Sequence, residues 1–161
     1  MSSSSVKSIA QTHMPADDLT QLAAFRTLLR QFQSFSEQAS AALGLTSVQY
    51  QALLAIGTRA DAAPLTVKVL AELLLIKHNS AVGLVDRIEQ LGLAVRRRSQ
   101  SDRRSVVVEL TAHGKLAMNR LAVKHRGELH RIAPAMGRHV RQFAKEIAAG
   151  PSSPARTFGR R

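Results

Sequence analysis

The 161-residue sequence contains no cysteine, no tryptophan and a single tyrosine. Without cysteine, these residues form no disulfide, no thiol redox sensor, no cysteine nucleophile and no zinc site with cysteine ligands. Aromatic residues make up only 4% of the chain. The core must therefore consist mainly of leucine, alanine, valine and isoleucine, and this composition favours helices.

Acidic residues are scarce, and the imbalance gives the chain a strong positive charge. There are 11 aspartates and glutamates against 23 lysines and arginines, for a formal net charge of +12 at pH 7. A folded chain with this charge repels itself unless a polyanion neutralises it. Nucleic acid is the first candidate partner, and an anionic membrane surface is the second.

Long apolar runs and enzyme motifs are also missing. No stretch reaches the roughly 20 apolar residues of a membrane span, and no apolar segment of signal-peptide length follows Met1. No Gly-rich phosphate loop, HExxH pair or nucleophile elbow is present. His125 and His130 would lie about 140° apart on a helix, which disfavours a shared metal. We therefore predict a cytoplasmic protein that is not an enzyme, with no membrane partner, no cofactor and no metal.

Apolar residues at helical spacing predict a long first helix over residues 18–44, after a disordered arm over residues 1–17. Asp17 and Asp18 are expected to cap this helix and Gly44 to end it. Its stripe is longer than a small domain needs, so it is either a core helix or a helix that packs partly on a partner chain.

Further helices are predicted along the chain. Thr46 is expected to cap the second, with Val48 on its inward side, and Leu65-Thr66 to begin the third. Thr111 is expected to cap a later helix that Pro134 breaks, or after which a new helix begins. The basic tail, residues 150–161, is predicted to be disordered.

Residues 70–111 carry the strongest local signals. Apolar residues at i, i+3, i+4 and i+7 predict a helix over residues 79–91 with one buried side, ended by Gly92. Residues 94–98 and 106–110 read as two short strands on either side of a polar, basic loop. This pattern predicts a hairpin with a cationic tip.

The order helix, helix, short helix, helix, two strands and long helices resembles the multiple antibiotic resistance regulator (MarR) family of winged helix-turn-helix transcriptional regulators. The resemblance covers roughly residues 18–147. It is carried by Leu70-Ala71-Glu72, Val85-Asp86-Arg87-Ile88-Glu89, Gly92-Leu93, Asp102-Arg103-Arg104, Leu110-Thr111 and Gly114.

The resemblance implies a mainly α fold with a small β-hairpin wing (α+β). Residues 45–111 would form the DNA-binding lobe, and residues 18–44 and 112–149 would be dimerisation helices. The implied protein is a homodimeric regulator, usually a repressor, that binds double-stranded DNA at specific sequences.

The face of the fourth helix opposite its buried stripe is small and polar, so it can enter a major groove. A hairpin with arginines at its tip suits the narrow minor groove. By the family pattern Arg104 reaches that groove and Asp102 supports the wing, through Arg87 or Arg103. The predicted DNA-binding residues are Lys77, His78, Asn79, Ser80, Val82, Gly83, Arg87, Arg103 and Arg104. Their ordinary alternatives are capping for residues 77–80, an internal salt bridge for Arg87, and a solvated turn for Arg103 and Arg104.

Some positions depart from the family pattern. Many members carry threonine and arginine where this chain has Val82 and Gly83, which weakens direct base readout by long side chains. Leu75 stands where the turn between helices often has glycine, and Lys77 where a capping serine is common, so Asn79 or Ser80 is expected to cap instead. A non-sequence-specific architectural DNA-binding protein is the alternative function, and a protein-interaction module is the third.

The resemblance also implies a cleft between the DNA-binding lobe and the dimer helices that receives small aromatic acids. Phe25, Phe32, Phe35 and Tyr50 are the candidate lining residues for such an effector. The alternative is that these four side chains pack in the core.

Overall fold

The computed structural model describes residues 15–59, 65–99 and 105–149. Within these ranges five helices and two strands follow one another. They are α1 (Ala16–Ala41), α2 (Ser47–Gly57), α3 (Val67–Leu73), α4 (His78–Gln90), β1 (Ala94–Arg98), β2 (Val106–Leu110) and α5 (Ala112–Ala149). The mainly α fold with a small hairpin is therefore confirmed, and both strands have the predicted bounds.

The chain forms two compact units. Among the described residues, one unit comprises residues 32–59, 65–99 and 105–129, and the other combines residues 15–31 with residues 130–149. Both long helices, α1 and α5, contribute to each unit, because the divisions fall within them.

The core of the unit of residues 32–129 is aliphatic, as the composition predicts. Leu53, Leu70, Val85, Ile88 and Leu121 have no exposed surface. They come from α2, α3, α4 and α5 and belong to one continuous cluster. Burying each such side chain contributes about 1.5–3 kcal/mol, so this cluster fixes the position of α4.

The hairpin is joined to the segment before α3. β1 and β2 pair antiparallel, with Ala94 opposite Leu110 and Arg98 opposite Val106. The Val108 N–H donates a hydrogen bond to the Leu65 carbonyl at 2.8 Å. This pairing, which the sequence pattern did not predict, anchors the base of the hairpin to the segment that leads into α3.

The predicted caps Thr46 and Thr111 are confirmed, and Thr66, which was predicted only to begin α3 with Leu65, is also a cap. Thr46 and Gln49 form a reciprocal capping box, in which the Thr46 N–H donates to Gln49 Oε1 at 2.8 Å. Thr66 Oγ1 accepts from the third residue of α3. Thr111 Oγ1 accepts from the Gly114 N–H at 3.0 Å and donates to the Gly92 carbonyl at 2.7 Å. Thr111 thus connects the end of α4 to the start of α5.

Several local predictions are wrong. Asp17 and Asp18 lie in the first turn of α1 and do not cap it, since the helix begins at Ala16. Val48 was expected to face inward, but it is 42% exposed. Pro134 lies inside a continuous α5. The missing hydrogen bond and ring clash of an internal proline cost about 3 kcal/mol, and apolar packing beside it, including Ile132 at 2% exposure, favours the continuous helix.

Candidate nucleic-acid interface

Helix α4 has one buried side and one exposed polar side. Its buried residues are Ala81, Leu84, Val85 and Ile88, whereas Leu91, predicted to complete the stripe, is 45% exposed. Seven of the nine predicted DNA-binding residues lie on this helix or at its start. Lys77, His78, Asn79, Ser80 and Arg87 are exposed, and Val82 and Gly83 are partly buried. Arg103, Arg104 and the wing-support residue Asp102 lie outside the described residues.

The start of α4 leaves its backbone donors without a side-chain cap. Lys77 is the N-cap residue and makes no side-chain capping hydrogen bond, so the expectation that Asn79 or Ser80 caps the helix is wrong. The first N–H groups of a helix have no partner within it and favour anions. The exposed Lys77 and His78 side chains lie at this positive end, an arrangement suited to a phosphate.

The turn between α3 and α4 explains why glycine would suit position 75. Leu75 has φ of 54°, in the left-handed region, and its side chain is 92% exposed. That conformation costs a non-glycine residue about 1–2 kcal/mol. The turn is nevertheless formed, with the Ile76 N–H donating to the Ala71 carbonyl at 3.0 Å.

Arg96 of β1 pairs with two carboxylates of α4, so its guanidinium is not free to contact a phosphate. Its Nη1 lies 2.8 Å from Asp86 Oδ1 and also pairs with Glu89. Its backbone N–H donates to Glu89 Oε1 at 2.6 Å, and its Nη2 lies 3.5 Å from the Val82 carbonyl oxygen. The strand and the exposed helix are therefore connected by one side chain. Sequence reasoning missed this contact, although Asp86 and Glu89 are three residues apart and so share a helix face.

The other arginines of β1 have different roles. Arg97 Nε lies 3.2 Å from Glu109 Oε2 across the hairpin, and both side chains are largely exposed. Arg98 is exposed and makes no ion pair with the residues that the structure describes. Of the cluster Arg96-Arg97-Arg98, only Arg98 is thus a candidate for a phosphate contact.

Arg87 lies over Gly83 on the exposed side of α4. A Cβ at position 83 would be 3.9 Å from Arg87 Nη2 and would meet nothing closer. Among the side chains of residues 15–59, 65–99 and 105–145, no carboxylate lies within 4.0 Å of Arg87. The guanidinium is therefore not held by an internal salt bridge there, and position 83 has room for a larger side chain.

Three of the four predicted effector-lining residues surround the buried His125. The rings of Phe32, Phe35 and Tyr50 have centroids 6.1, 5.4 and 4.4 Å from the imidazole. His125 Nδ1 lies 2.8 Å from the Leu121 carbonyl oxygen, and Nε2 lies 3.0 Å from Ser36 Oγ.

A carbonyl only accepts, so Nδ1 of His125 carries a proton and donates to the Leu121 carbonyl. In the neutral imidazole, Nε2 then accepts from the Ser36 hydroxyl. Burial raises the pKa of Tyr50 above its ordinary value of 10.0. Phe25 belongs to the other unit, where its ring contacts His139 and Phe143 at centroid distances of 5.9 and 5.7 Å. The four side chains are therefore divided between two clusters, each of which packs around a histidine.

The described residues present neither a cluster of metal ligands nor a membrane-spanning helix. Among the side chains of residues 15–59, 65–99 and 105–145, no three histidine or acidic groups come together as metal ligands would. Over that part of the chain, no helix has both the length and the apolar character that crossing a membrane requires.

The helix pair α3–α4 followed by a paired hairpin defines a winged helix-turn-helix protein. The family model described as "MarR family" matches residues 43–105. The organic hydroperoxide resistance transcriptional regulator of Bacillus subtilis is 31% identical over 125 residues, which cover 78% of this chain and 80% of that protein. The chain belongs to the MarR family of DNA-binding transcriptional regulators, which is a family of regulators and not of enzymes.

Solved structures share the fold. CouR from Rhodococcus jostii, bound to p-coumaroyl-CoA, matches with a TM-score of 0.64 and 22% identity, over 85% of this chain and 96% of CouR. A MepR mutant from S. aureus, bound to an oligodeoxyribonucleotide, matches with a TM-score of 0.58 and 15% identity, over 85% of this chain and 98% of MepR.

Proposed function

We propose that the protein is a homodimeric repressor that binds double-stranded DNA at specific sequences in the cytoplasm, with α4 in the major groove and the hairpin loop in the minor groove. The observation that carries the proposal is the exposed polar side of α4, directly opposite a stripe with almost no exposed surface. The buried stripe fixes the helix, and the exposed side is left for a ligand.

The residues at the start of α4 suit base edges and phosphates. His78, Asn79 and Ser80 carry hydrogen-bonding groups that can reach base edges, and Val82 can contact a thymine methyl group. Lys77 and Arg87 carry exposed positive charge that suits the DNA backbone. The solved DNA complex of the MepR mutant, which shares this fold, supports the proposal.

Arg103 and Arg104 are proposed to enter the minor groove, with Asp102 supporting the loop that carries them. The support comes from the paired strands on either side of residues 100–104, which hold the ends of that loop together. The Ser99 N–H donates to the Ser105 carbonyl at 2.9 Å, which continues the hairpin toward the loop. Arginine is the residue that narrow, electronegative minor grooves favour.

Exposed apolar side chains on the long helices support dimerisation. In the unit containing residues 15–31, Leu19, Leu22 and Leu29 are 52%, 39% and 42% exposed. They recur at i, i+3 and i+10, so they share one side of α1. On α5, Leu116 and Val123 are 51% and 73% exposed and lie seven residues apart. A second copy of the chain is the proposed cover for both stripes, and its symmetry would present two α4 helices to half-sites about one helical turn apart.

Relief of DNA binding by a small aromatic effector is a separable part of the proposal. It is supported by the structure of CouR, a protein of the same fold, bound to p-coumaroyl-CoA. Phe32, Phe35 and Tyr50, which pack around His125 within one unit, remain the proposed contacts. Phe25 packs in the other unit and is not proposed as part of the same contact surface. Because these 161 residues contain no cysteine, an effector response within them does not use thiol oxidation.

A second candidate function is that of an architectural protein that binds DNA without sequence preference. Val82 and Gly83 favour it, because neither side chain hydrogen-bonds a base edge. The charge of +12 favours it as well, since phosphate contacts alone give substantial affinity.

Selection of bound sequences from random duplexes at about 150 mM salt distinguishes the two functions. A specific dimer should enrich a pseudo-palindrome, and Arg104→Ala should weaken binding to it. The matched control is Arg97→Ala, which removes a hairpin arginine that pairs with Glu109. Salt-sensitive binding with no enriched motif would establish the architectural function instead, and absence of any DNA binding would contradict both.

A further inference from the structure

A cationic cleft lies in the unit that contains residues 15–31 and 130–149. It is open to solvent, has a volume of about 430 Å³ and lies between α1 and α5. Its lining residues are Gln21, Arg138, His139, Arg141, Gln142 and Lys145. Three of these six carry a positive charge at pH 7, and none is a carboxylate. The cleft therefore offers hydrogen-bond donors and positive charge to a ligand.

The three cations lie on one side of α5. Arg138, Arg141 and Lys145 recur at i, i+3 and i+7, which places them in consecutive turns of the same helix face. Like charges at this spacing destabilise a helix. Within the described residues none of the three takes part in an ion pair. A bound anion would offset their mutual repulsion.

Packing around the cleft holds its lining in place. His139 contacts the ring of Phe25 edge-on, and Phe25 in turn packs edge-on against Phe143. Position 137 lacks a side chain, and a Cβ there would lie 3.2 Å from Arg141 Nη1. Gly137 therefore leaves space in which the Arg141 guanidinium lies close to the helix backbone.

We propose that this cleft binds a small phosphorylated molecule with about three negative charges, such as one carrying a diphosphate or triphosphate group. Arginine guanidinium groups match phosphate oxygens in geometry and charge. The volume is within the range of about 300–1,000 Å³ that is usual for small-molecule sites. A concave site of this size suits a compact ligand better than the convex surface of a duplex.

The site does not depend on the proposed dimer, since all six lining residues belong to one chain. Val140, which is 53% exposed, is two residues from both Arg138 and Gln142. Two residues correspond to about 200° around a helix, so this apolar side chain points away from the cleft. A second copy packed on the Val140 side would leave the cleft open.

Calorimetric titration of the full chain with pyrophosphate, and separately with ATP, tests the site at constant ionic strength. The cleft variant is Arg141→Gln/Lys145→Gln. The matched control is Lys115→Gln/Lys124→Gln, which removes the same charge from exposed positions of α5 in the other unit. We expect saturable binding that the cleft variant weakens by about tenfold or more, since it removes two of the three positive charges that would contact the phosphates. The control should change the affinity by less than about twofold, since screening leaves little attraction beyond about 10 Å at 0.1 M salt.

Three outcomes would overturn the proposal. One is the absence of saturable binding by both probes, and another is an equal loss of affinity in the control, which would indicate general charge attraction. A parallel titration with a random duplex distinguishes the source of the phosphate. If only duplex binding depends on Arg141 and Lys145, the cleft is a DNA backbone contact and the small-ligand site is refuted. None of these outcomes depends on whether α4 reads bases.

Discussion

Replacing Gly83 with arginine should add a phosphate contact to the exposed side of α4. The position has room, because a Cβ there would meet only Arg87 Nη2, at 3.9 Å. Replacing an internal helix glycine with arginine contributes about 0.8 kcal/mol. The like charge of Arg87 four residues later costs about 0.3 kcal/mol. We therefore expect Gly83→Arg to raise the free energy of unfolding by about 0.5 kcal/mol.

The effect on DNA binding follows from counterion release. Each additional phosphate contact steepens the slope of log affinity against log salt by about 0.9. Between 50 and 200 mM salt, Gly83→Arg should then lose about 3.5-fold more affinity than the unmodified protein. At every salt concentration in this range we expect the variant to bind more tightly.

Fluorescence anisotropy of one labelled duplex over that salt range measures both quantities. Gly127→Arg is the matched control, since Gly127 also lies inside an exposed helix segment and a Cβ there meets nothing within 4 Å. It adds the same charge away from α4 and should leave the slope nearly unchanged. An unchanged slope for Gly83→Arg, or an equal increase for Gly127→Arg, would refute the placement of α4 against DNA.

Three further predictions concern stability and titration. Gly114→Ala should lower the free energy of unfolding by about 2–3 kcal/mol, because a Cβ there would overlap a backbone carbonyl oxygen. The control Gly127→Ala should raise the free energy of unfolding by about 1 kcal/mol, because alanine favours a helix more than glycine does. Equal effects of the two substitutions in urea unfolding would contradict the packing described for Gly114. Tyr50, the only tyrosine, should titrate above pH 10 in the native protein and near 10 in urea, followed by tyrosinate absorbance. Because burial raises the pKa of Tyr50, the free energy of unfolding should fall as the pH rises from 10 through the pKa of the native protein. Tyr50→Phe should reduce this loss. A titration midpoint of native Tyr50 at or below pH 10 would be inconsistent with its burial. In urea unfolding, Arg96→Ala should lower the free energy of unfolding by about 1 kcal/mol. Arg97→Ala, which removes a more exposed ion pair, should lower it by less than about 0.5 kcal/mol. The reverse order would contradict the proposed connection between β1 and α4.

The parts of the fold that local chemistry determines could be predicted from the sequence. The strand bounds were correct because valines and a polar loop define the hairpin. Thr46 and Thr111 were identified as caps because their side chains satisfy nearby backbone donors. Gly92 was expected to end α4, and it does so with a φ of 68°. Glycine adopts this conformation readily because it has no Cβ.

Features that depend on distant contacts could not be predicted. The Arg96 contacts with Asp86 and Glu89 exist only once β1 lies beside α4, and the alternation of a strand does not specify them. The length of α5 was missed because apolar packing beside Pro134, as of the buried Ile132, outweighs the local cost of proline. The division of the aromatic residues between His125 and His139 likewise follows from tertiary structure.

The central claim is that the exposed side of α4 contacts base edges in the major groove. The most direct test replaces purines one at a time with their 7-deaza analogues in the selected duplex, which removes the N7 acceptor of adenine or guanine from that groove. We expect affinity to fall at two clusters of positions about one helical turn apart, one for each α4 of the dimer. Unchanged affinity at every position, with binding still strongly salt dependent, would show that the protein recognises only the phosphate backbone and would contradict the claim.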